Sequence, residues 1–213
     1  MSEPPAAAAD ADADAELMLR VKLGGADASE AFARLVERWK QPVMAFVYRT
    51  LPDPDEAEDL AQGVFVQLWR TAGRYQPTAR FSTFLFTIAR NLALNEVRRR
   101  RRHPADSLDA TLEGDESARA RQVPDRGTVS GDLALERAEL NAKVQEALDA
   151  LPEKQRTALL LCREGELSYE EIAAVLGTTV PATKSLIFRA REVLKSRLKP
   201  YLRTGDWSAD GPE

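Results

Sequence analysis

The sequence predicts an all-α protein built from two small helical domains that a flexible linker joins. Apolar side chains recur at three- and four-residue steps in 16–103 and again in 132–203. No strand-like alternation persists anywhere, and 104–131 scatters Gly, Pro, Ser and acidic residues without any period. We therefore divide the 213 residues into five segments: a disordered Ala/Asp-rich tail (1–15), a first domain (16–103), a linker (104–131), a second domain (132–203) and a C-terminal tail (204–213).

The first domain is predicted to contain three helices. The first carries an apolar stripe made of Phe32, Leu35, Val36, Trp39, Val43, Phe46 and Val47. Pro42 lies within this stripe and predicts a kink or a break. Asp53 and Pro54 form an N-cap and a first helical position, so a second helix runs from there to about Arg70. After a loop at 73–80, the third helix runs over 81–102.

The second domain carries a short helix, a glycine turn and a basic helix. Ser168 and Glu171 have the spacing of a capping box at the start of the helix over 169–176. Gly177 begins the turn, and a longer helix follows over 180–198. This order is typical of a helix-turn-helix that places its second helix in the major groove of DNA. The alternative is an ordinary helical hairpin with a solvated basic face.

The second helix of this unit has an inner and an outer face. Its spacing turns one apolar row inward: Val180, Thr183, Ile187, Ala190, Leu194 and Leu198. Lys184, Ser185, Phe188 and Arg189 then lie outside. Arg189 is suited to a bidentate pair with guanine, and Phe188 to contact with a thymine methyl.

Composition excludes several classes of function. The chain has one cysteine, Cys162, and one histidine, His103. We therefore expect no zinc site, no Ser–His or Cys–His enzyme, no cofactor and no small-molecule substrate. No stretch has the roughly 18 apolar residues of a membrane span, and the N-terminus lacks the features of a secretion signal. The sequence thus predicts a cytoplasmic protein that works by binding.

The charges are segregated along the chain. Residues 80–103 carry seven arginines against one acid, and 184–203 carry seven bases against one acid. The stretch 104–140 between them carries nine acids and four bases. Two basic blocks separated by an acidic linker favour two separate contacts with a polyanion.

Three features of the first domain have both a structural and a functional interpretation. Four acids at 55, 56, 58 and 59 lie in the first turns of a predicted helix, where the helix dipole stabilises negative charge. Asp59, Gln62 and Val66, however, share a face on which a partner helix could dock. The aromatic residues near 80–102 suit either a core or the stacking of unpaired bases, as in single-strand binding proteins. Five consecutive arginines at 98–102 form either a solvated helix end or a phosphate contact.

These motifs, in this order, resemble the extracytoplasmic-function (ECF) sigma factors of bacterial RNA polymerase, within the sigma-70 family. The resemblance is carried by AEDLAQGVFVQLW (57–69), ARFSTFLFTIARNLALNEVRRRR (79–101), ALDALPEKQRTALLL (147–161) and LSYEEIAAVLGTTVPATKSLIFRARE (167–192). It implies that the first domain is like sigma region 2 and that the second is like sigma region 4.

The resemblance implies a role for particular residues. Asp59, Gln62 and Phe65 match the surface that docks on the clamp helices of the largest subunit of core RNA polymerase, and Gly63 stands where the family often has Glu. The −10 element is assigned to Tyr75, Phe86, Asn91, Asn95, Arg98 and Arg99. The −35 element is assigned to Lys184, Ser185, Phe188 and Arg189.

The implied function is that of a non-enzymatic transcription initiation factor. It binds core polymerase, reads the −35 element and captures bases of the melted −10 element. The resemblance also implies sequestration by an anti-sigma factor, often membrane-bound. Two alternatives stay open: a free-standing helix-turn-helix regulator with a sensory domain, and an all-α interaction protein whose basic faces bind nothing specific.

Overall fold

The computed structural model describes residues 6–51, 53–102, 131–165 and 167–204. Within them the chain is all-α. The helices of the first domain are α1 (Ala6–Leu23), α2 (Ala28–Thr50), α3 (Pro54–Arg70) and α4 (Phe81–Arg102), with a single 3₁₀ turn at Ala72–Arg74. Those of the second are α5 (Gly131–Asp149), α6 (Glu153–Glu164), α7 (Tyr169–Leu176) and α8 (Val180–Thr204). The predicted fold class is confirmed. The three helices predicted for the first domain correspond to α2, α3 and α4, and α1 is an additional helix that was not predicted.

The predicted linker, 104–131, lies outside the described residues except for Gly131, the first residue of α5. Of the predicted C-terminal tail only Thr204 is described, and it is the last residue of α8.

The prediction of a disordered N-terminal tail is wrong for residues 6–15, which belong to α1. Alanine is the strongest helix former, so the low-complexity Ala/Asp sequence is compatible with a helix. Asp14 is buried, and its carboxylate accepts hydrogen bonds from the Arg38 guanidinium at 3.2 Å and from the Trp39 indole at 3.1 Å. These bonds to α2, together with buried Leu17 and Met18, hold α1 on the domain.

Of the kink or break predicted at Pro42, the break does not occur, because helix α2 continues through this residue. Proline removes one backbone donor from the helix. The residues on either side are held in the core, because Leu35, Val43 and Phe46 are almost completely buried. Burial of each such side chain contributes roughly 1.5–3 kcal/mol, and together these side chains offset the roughly 3 kcal/mol that a proline costs inside a helix.

The starts and ends of the helices follow local sequence signals. Asp53 Oδ1 accepts hydrogen bonds from the backbone N–H of Asp55 at 2.9 Å and of Glu56 at 3.1 Å. Pro54 occupies the first turn of α3, where its missing donor has no cost. The predicted cap and helix start are therefore confirmed.

The two domains are not separate bodies in this structure. Helix α2 packs against α6, and α4 packs against α7. As a result, a single hydrophobic cluster runs from Phe46 and Phe86 of the first domain to Leu161 and Ile172 of the second. The sequence predicted two tethered domains and gave no sign of this contact.

Candidate nucleic-acid and protein interfaces

The helix-turn-helix is built as its sequence predicts. The Ser168 hydroxyl accepts from the Glu171 backbone N–H at 3.2 Å, and the Glu171 carboxylate accepts from the Ser168 N–H at 2.9 Å, which completes the capping box. Gly177 ends α7 in the left-handed conformation, with φ of 62°. The N–H of Thr178 then bonds to the Ala173 carbonyl at 2.9 Å, as in a Schellman motif. These caps fix the angle between α7 and α8.

Helix α8 has one buried and one exposed face. Thr183, Ile187 and Ala190 are almost completely buried against the rest of the domain. The four residues predicted to read DNA are all exposed: Lys184, Ser185, Phe188 and Arg189. A large aromatic ring rarely faces solvent without a partner, yet the Phe188 side chain is 66% exposed. The outer face of α8 thus combines two cations, a hydroxyl and an apolar ring.

Tyr169, at the start of α7, is a neighbour of this face that the sequence did not single out. The Lys184 ammonium lies 5.5 Å from the centre of the Tyr169 ring, within the range of a cation–π contact. The contact links the first turn of α7 to the first turns of α8. It restricts where the Lys184 ammonium can reach.

Helix α4 presents a polar stripe on its exposed side. Asn91, Asn95 and Arg98 are exposed and follow one another at four- and three-residue steps, so they lie on one face. Phe84 is half-buried two helical turns before Asn91, with its ring centre 5.4 Å from that of Tyr75. This stripe contains three of the six residues predicted to contact the −10 element.

Two other residues of that set lie in the core, so the prediction that Tyr75 and Phe86 contact bases is wrong for this conformation. Phe86 is fully buried, with its ring 5.7 Å from that of Phe46 and 6.1 Å from that of Trp39. Tyr75 is buried as well, and burial, with a smaller contribution from Asp14, raises the pKa of its hydroxyl. Aromatic residues near arginines suit a core as well as a stacking platform, and here the core interpretation is correct.

The run of arginines at 98–102 divides into different roles. Arg98 is exposed, whereas the Arg100 side chain is only 16% exposed. Arg100 forms an ion pair with Glu56 of α3, and its guanidinium lies 3.6 Å from Glu96 and 4.0 Å from Asp53. Arg100 therefore holds the end of α4 against the start of α3.

Arg99, the sixth residue of the −10 set, is about half exposed and bonded to its own helix. Its Nε and Nη2 donate to the Glu96 carboxylate at 3.0 and 2.9 Å. The hydrogen bond from Arg99 lowers the pKa of Glu96, which keeps that carboxylate charged. A phosphate would have to compete with Glu96 for this guanidinium.

A second candidate surface lies along α3. Asp59 and Gln62 are exposed as predicted, while Phe65 is half-buried. Val66 and Trp69 extend the same side of the helix and are 51% and 44% exposed. The Trp69 ring meets Phe32 edge-on at 5.0 Å, so it is held in place at the surface. Trp69 was missed because an aromatic residue at helical spacing usually belongs to the core.

A groove of about 430 Å³ separates α3 from α4 beside these residues. Leu60, Val66 and Leu92 supply apolar lining, and Asp59 lies at the edge. A Cβ added to Gly63 would meet no atom within 4 Å, so the missing side chain leaves the groove open. Exposed apolar residues beside acids suit contact with another protein.

Other kinds of site find no support in the described part of the chain. It contains no cluster of three or more His, Cys, Asp or Glu side chains able to hold a metal ion. None of its helices is long and apolar enough to cross a membrane.

Comparison with known proteins matches both domains. Residues 35–103 match Sigma-70 region 2, and residues 141–194 match Sigma-70, region 4. The RNA polymerase sigma-H factor of Pseudomonas aeruginosa is 36% identical over 88% of this chain and 94% of its own length. The ECF RNA polymerase sigma factor SigW of Bacillus subtilis is 33% identical over 84% of this chain and 94% of its own length.

Solved structures show the same fold. The sigma factor RpoE of Bartonella quintana, in complex with the anti-sigma factor NepR, is 27% identical, with a TM-score of 0.59 over 79% of this chain and 96% of its own. CnrH in complex with the cytosolic domain of CnrY is 23% identical, with a TM-score of 0.62 over 89% of this chain and 99% of its own. With both regions matched in order, and with relatives aligned over nearly their whole length, this chain belongs to the ECF sigma factors of the sigma-70 family, which are non-enzymatic transcription initiation factors.

Proposed function

We propose that this chain binds core RNA polymerase and directs it to promoters by reading the −35 element with α8 and holding the melted −10 element on α4. The observation that carries the proposal is the outer face of α8. It exposes Lys184, Ser185, Phe188 and Arg189 on a helix whose opposite side is anchored in the core. A reading helix requires this rigid support, because its side chains must reach base edges without moving the scaffold.

At the −35 element, Arg189 is the residue proposed to specify a base. It is exposed and, within the described residues, makes no hydrogen bond or ion pair. Its guanidinium is thus available for a bidentate contact with a guanine. Phe188 is proposed to contact a thymine methyl, and Ser185 and Lys184 a base or a phosphate.

At the −10 element, the polar stripe of α4 is proposed to hold the separated strand. Asn91 and Asn95 supply amide donors and acceptors for base edges, and Arg98 supplies a charge for phosphate. Capture of an extruded base must offset an unstacking cost of a few kcal/mol. Tyr75 and Phe86 support this helix from the core, and a direct role for them requires a rearrangement of the domain.

The exposed side of α3 is proposed to dock on the clamp helices of the largest polymerase subunit. Asp59 and Gln62 supply the polar contacts, and Val66 and Trp69 supply exposed apolar surface that docking would bury. A surface with an aromatic anchor and an acidic rim has the composition of a protein interface. We place the protein in the cytoplasm, where core polymerase acts.

An anti-sigma factor is a further proposed partner. The Bartonella quintana relative was solved with the anti-sigma factor NepR, and its fold aligns over most of this chain. Sequestration of this kind would keep the chain from core polymerase until a signal releases it.

Reconstitution with core polymerase tests the proposal. Run-off transcription from a genomic fragment library should yield a small set of promoters only when the chain is added. The same fragments should bind the isolated chain weakly, because each domain offers a small DNA surface. Nanomolar binding without polymerase, with no transcription, would instead favour a free-standing helix-turn-helix regulator.

A further inference from the structure

Gly63 lies in the middle of α3, where a glycine destabilises the helix. Among the amino acids only proline is less favourable there, because glycine loses the most backbone freedom on folding. A left-handed backbone does not explain it, since the glycines with positive φ in the described residues are Gly24, Gly25 and Gly177. Crowding does not explain it either, because a Cβ at Gly63 would meet no atom within 4 Å. Neither the backbone nor the packing of the described chain therefore requires a glycine at this position.

The location of Gly63 shows what its missing side chain leaves free. Residues seven apart lie on the same face of a helix, so Glu56, Gly63 and Arg70 share one face of α3. All three line the groove of about 430 Å³ between α3 and α4, to which Leu60 and Leu92 contribute apolar surface. Pockets that hold small ligands have volumes of roughly 300–1,000 Å³, so the groove has room for side chains of a partner. Gly63 is thus at the centre of an open, partly apolar groove.

The charged side chains of the groove differ in whether they have partners. Two of its acids, Glu56 and Glu96, are bound by arginines of α4. Asp59 and Arg70 make no hydrogen bond or ion pair within the described residues. They are eleven positions apart on α3, which is about 16 Å along the helix axis. The groove therefore offers an available acid towards one end, an available base at the other, and apolar surface between them.

We propose that Gly63 determines which partner fits this groove, because it admits an apolar side chain from a helix of core polymerase between Leu60 and Leu92. The inference rests on the proposed function, since it assumes that the clamp helices dock on α3. The docked helix carries a cation opposite Asp59 and an anion opposite Arg70, which complement the two available charges of the groove. Glycine also lets the two helix backbones approach closely, because the distance between packed helices depends on the side chains at their contact.

Replacing Gly63 by leucine tests the inference, because stability and binding should change in opposite directions. Leucine is a strong helix former and the added Cβ meets no atom, so Tm should rise by about 2–3 °C. The leucine side chain fills the space that the partner needs, so competition with a reference sigma factor for core polymerase should weaken about tenfold. Gly63→Ala adds one methyl group, and it should raise Tm similarly while weakening competition less. A loss of affinity that accompanies a higher Tm cannot come from a folding defect.

Gly73→Leu is the matched control for the added side chain. Gly73 lies in the 3₁₀ turn after α3, outside the groove, and a Cβ there also meets no atom within 4 Å. This variant should compete as the wild type does. Arg70→Gln tests the charge at the end of the groove. It should weaken competition about threefold at low salt, and by less near 1 M salt, where the screening length is about 3 Å.

Four results would overturn the proposal. The first is competition by Gly63→Leu that equals that of the wild type, and the second is an equal loss in Gly73→Leu. The third is a lower Tm in Gly63→Leu, which would show that position 63 is packed within the chain. The fourth is an Arg70→Gln variant that competes like the wild type at every salt concentration. Failure of the proposed docking has a different signature, because the wild type itself would then not displace the reference sigma factor.

Discussion

Replacing Arg100 by alanine is expected to destabilise the protein, although the residue lies in a run of arginines whose sequence also suits contact with phosphate. Its guanidinium joins three acids: Glu56, Glu96 and Asp53. Removal leaves these carboxylates facing one another without a cation. Breaking a buried ion pair costs about 3–5 kcal/mol, but two of these acids are about a third exposed and water relieves part of the repulsion. We expect a loss of about 2–3 kcal/mol.

Thermal unfolding measures this loss. For a chain of this size, 2–3 kcal/mol corresponds to a fall in Tm of about 4–12 °C. Arg98→Ala is the matched control, because the same substitution two residues earlier removes an exposed side chain and should change stability by less than about 0.5 kcal/mol. Alanine is a good helix former, so neither variant weakens α4 through propensity.

The pH dependence provides an independent check. Arg100 is one of the charges that lower the pKa of Glu96, so Arg100→Ala loses the stability that this charge supplies above that pKa, and the loss shrinks as pH falls and Glu96 is protonated. The difference in Tm between variant and wild type should therefore be smaller at pH 4 than at pH 7. Equal losses for Arg98→Ala and Arg100→Ala, or none for either, would refute the assignment of Arg100 to the fold.

Four further substitutions probe the proposed contacts and the ion pair on α4. Asp59→Arg should weaken competition with a reference sigma factor for core polymerase while leaving Tm unchanged, because the side chain is exposed on α3. Arg189→Ala should cost about 1–3 kcal/mol of holoenzyme binding and relax preference at one −35 position. Lys199 is exposed near the C-terminal end of α8, where only phosphate is within reach, so Lys199→Ala should weaken binding to all sequences alike and reduce the salt slope by about one. Arg99→Ala should raise the pKa of Glu96 towards its ordinary value, which titration of the variant measures. The depressed pKa of Glu96 in the wild type contributes stability that is lost as pH falls through it, so unfolding of the variant at a series of pH values should show a smaller loss there.

Each of these has an outcome that contradicts it. If Asp59→Arg competes as well as the wild type, the acids at the start of α3 only stabilise the helix dipole and do not contact polymerase. Sequence-independent losses for both Arg189→Ala and Lys199→Ala would make Arg189 a phosphate contact and leave base reading to Lys184, Ser185 and Phe188. An unaltered Glu96 pKa in Arg99→Ala would show that other cations of α4 hold its charge.

Features encoded by a few adjacent residues could be predicted from the sequence. Ser168, Glu171 and Gly177 cap and end α7 as expected, because each acts on backbone groups within a few positions. The two faces of α8 followed from helical periodicity in the same way. The role as a transcription initiation factor could also be predicted, because each motif that carries the family resemblance is a single continuous stretch of sequence.

Features that depend on distant packing could not be predicted. Tyr75 and Phe86 have the neighbours of stacking residues in sequence. Phe86 is a core residue because it packs against Trp39 and Phe46 of α2, and Tyr75 because it packs against Phe81 and Phe84 of α4. Asp14 has the sequence context of a disordered tail, and its partners lie on α2. The contact between the domains has no local signal at all.

The docking of α1 determines where a truncated fragment of the first domain must begin if it is to fold. The match to Sigma-70 region 2 begins at residue 35, and a fragment cloned from that point would lack all of α1 and the first part of α2. It would lose Leu17, Met18 and Val21, each almost completely buried and each contributing roughly 1.5–3 kcal/mol. That sum approaches the total stability of a small domain, about 5–15 kcal/mol. The autonomous folding unit therefore begins upstream of Asp14, well outside the boundary that homology alone suggests.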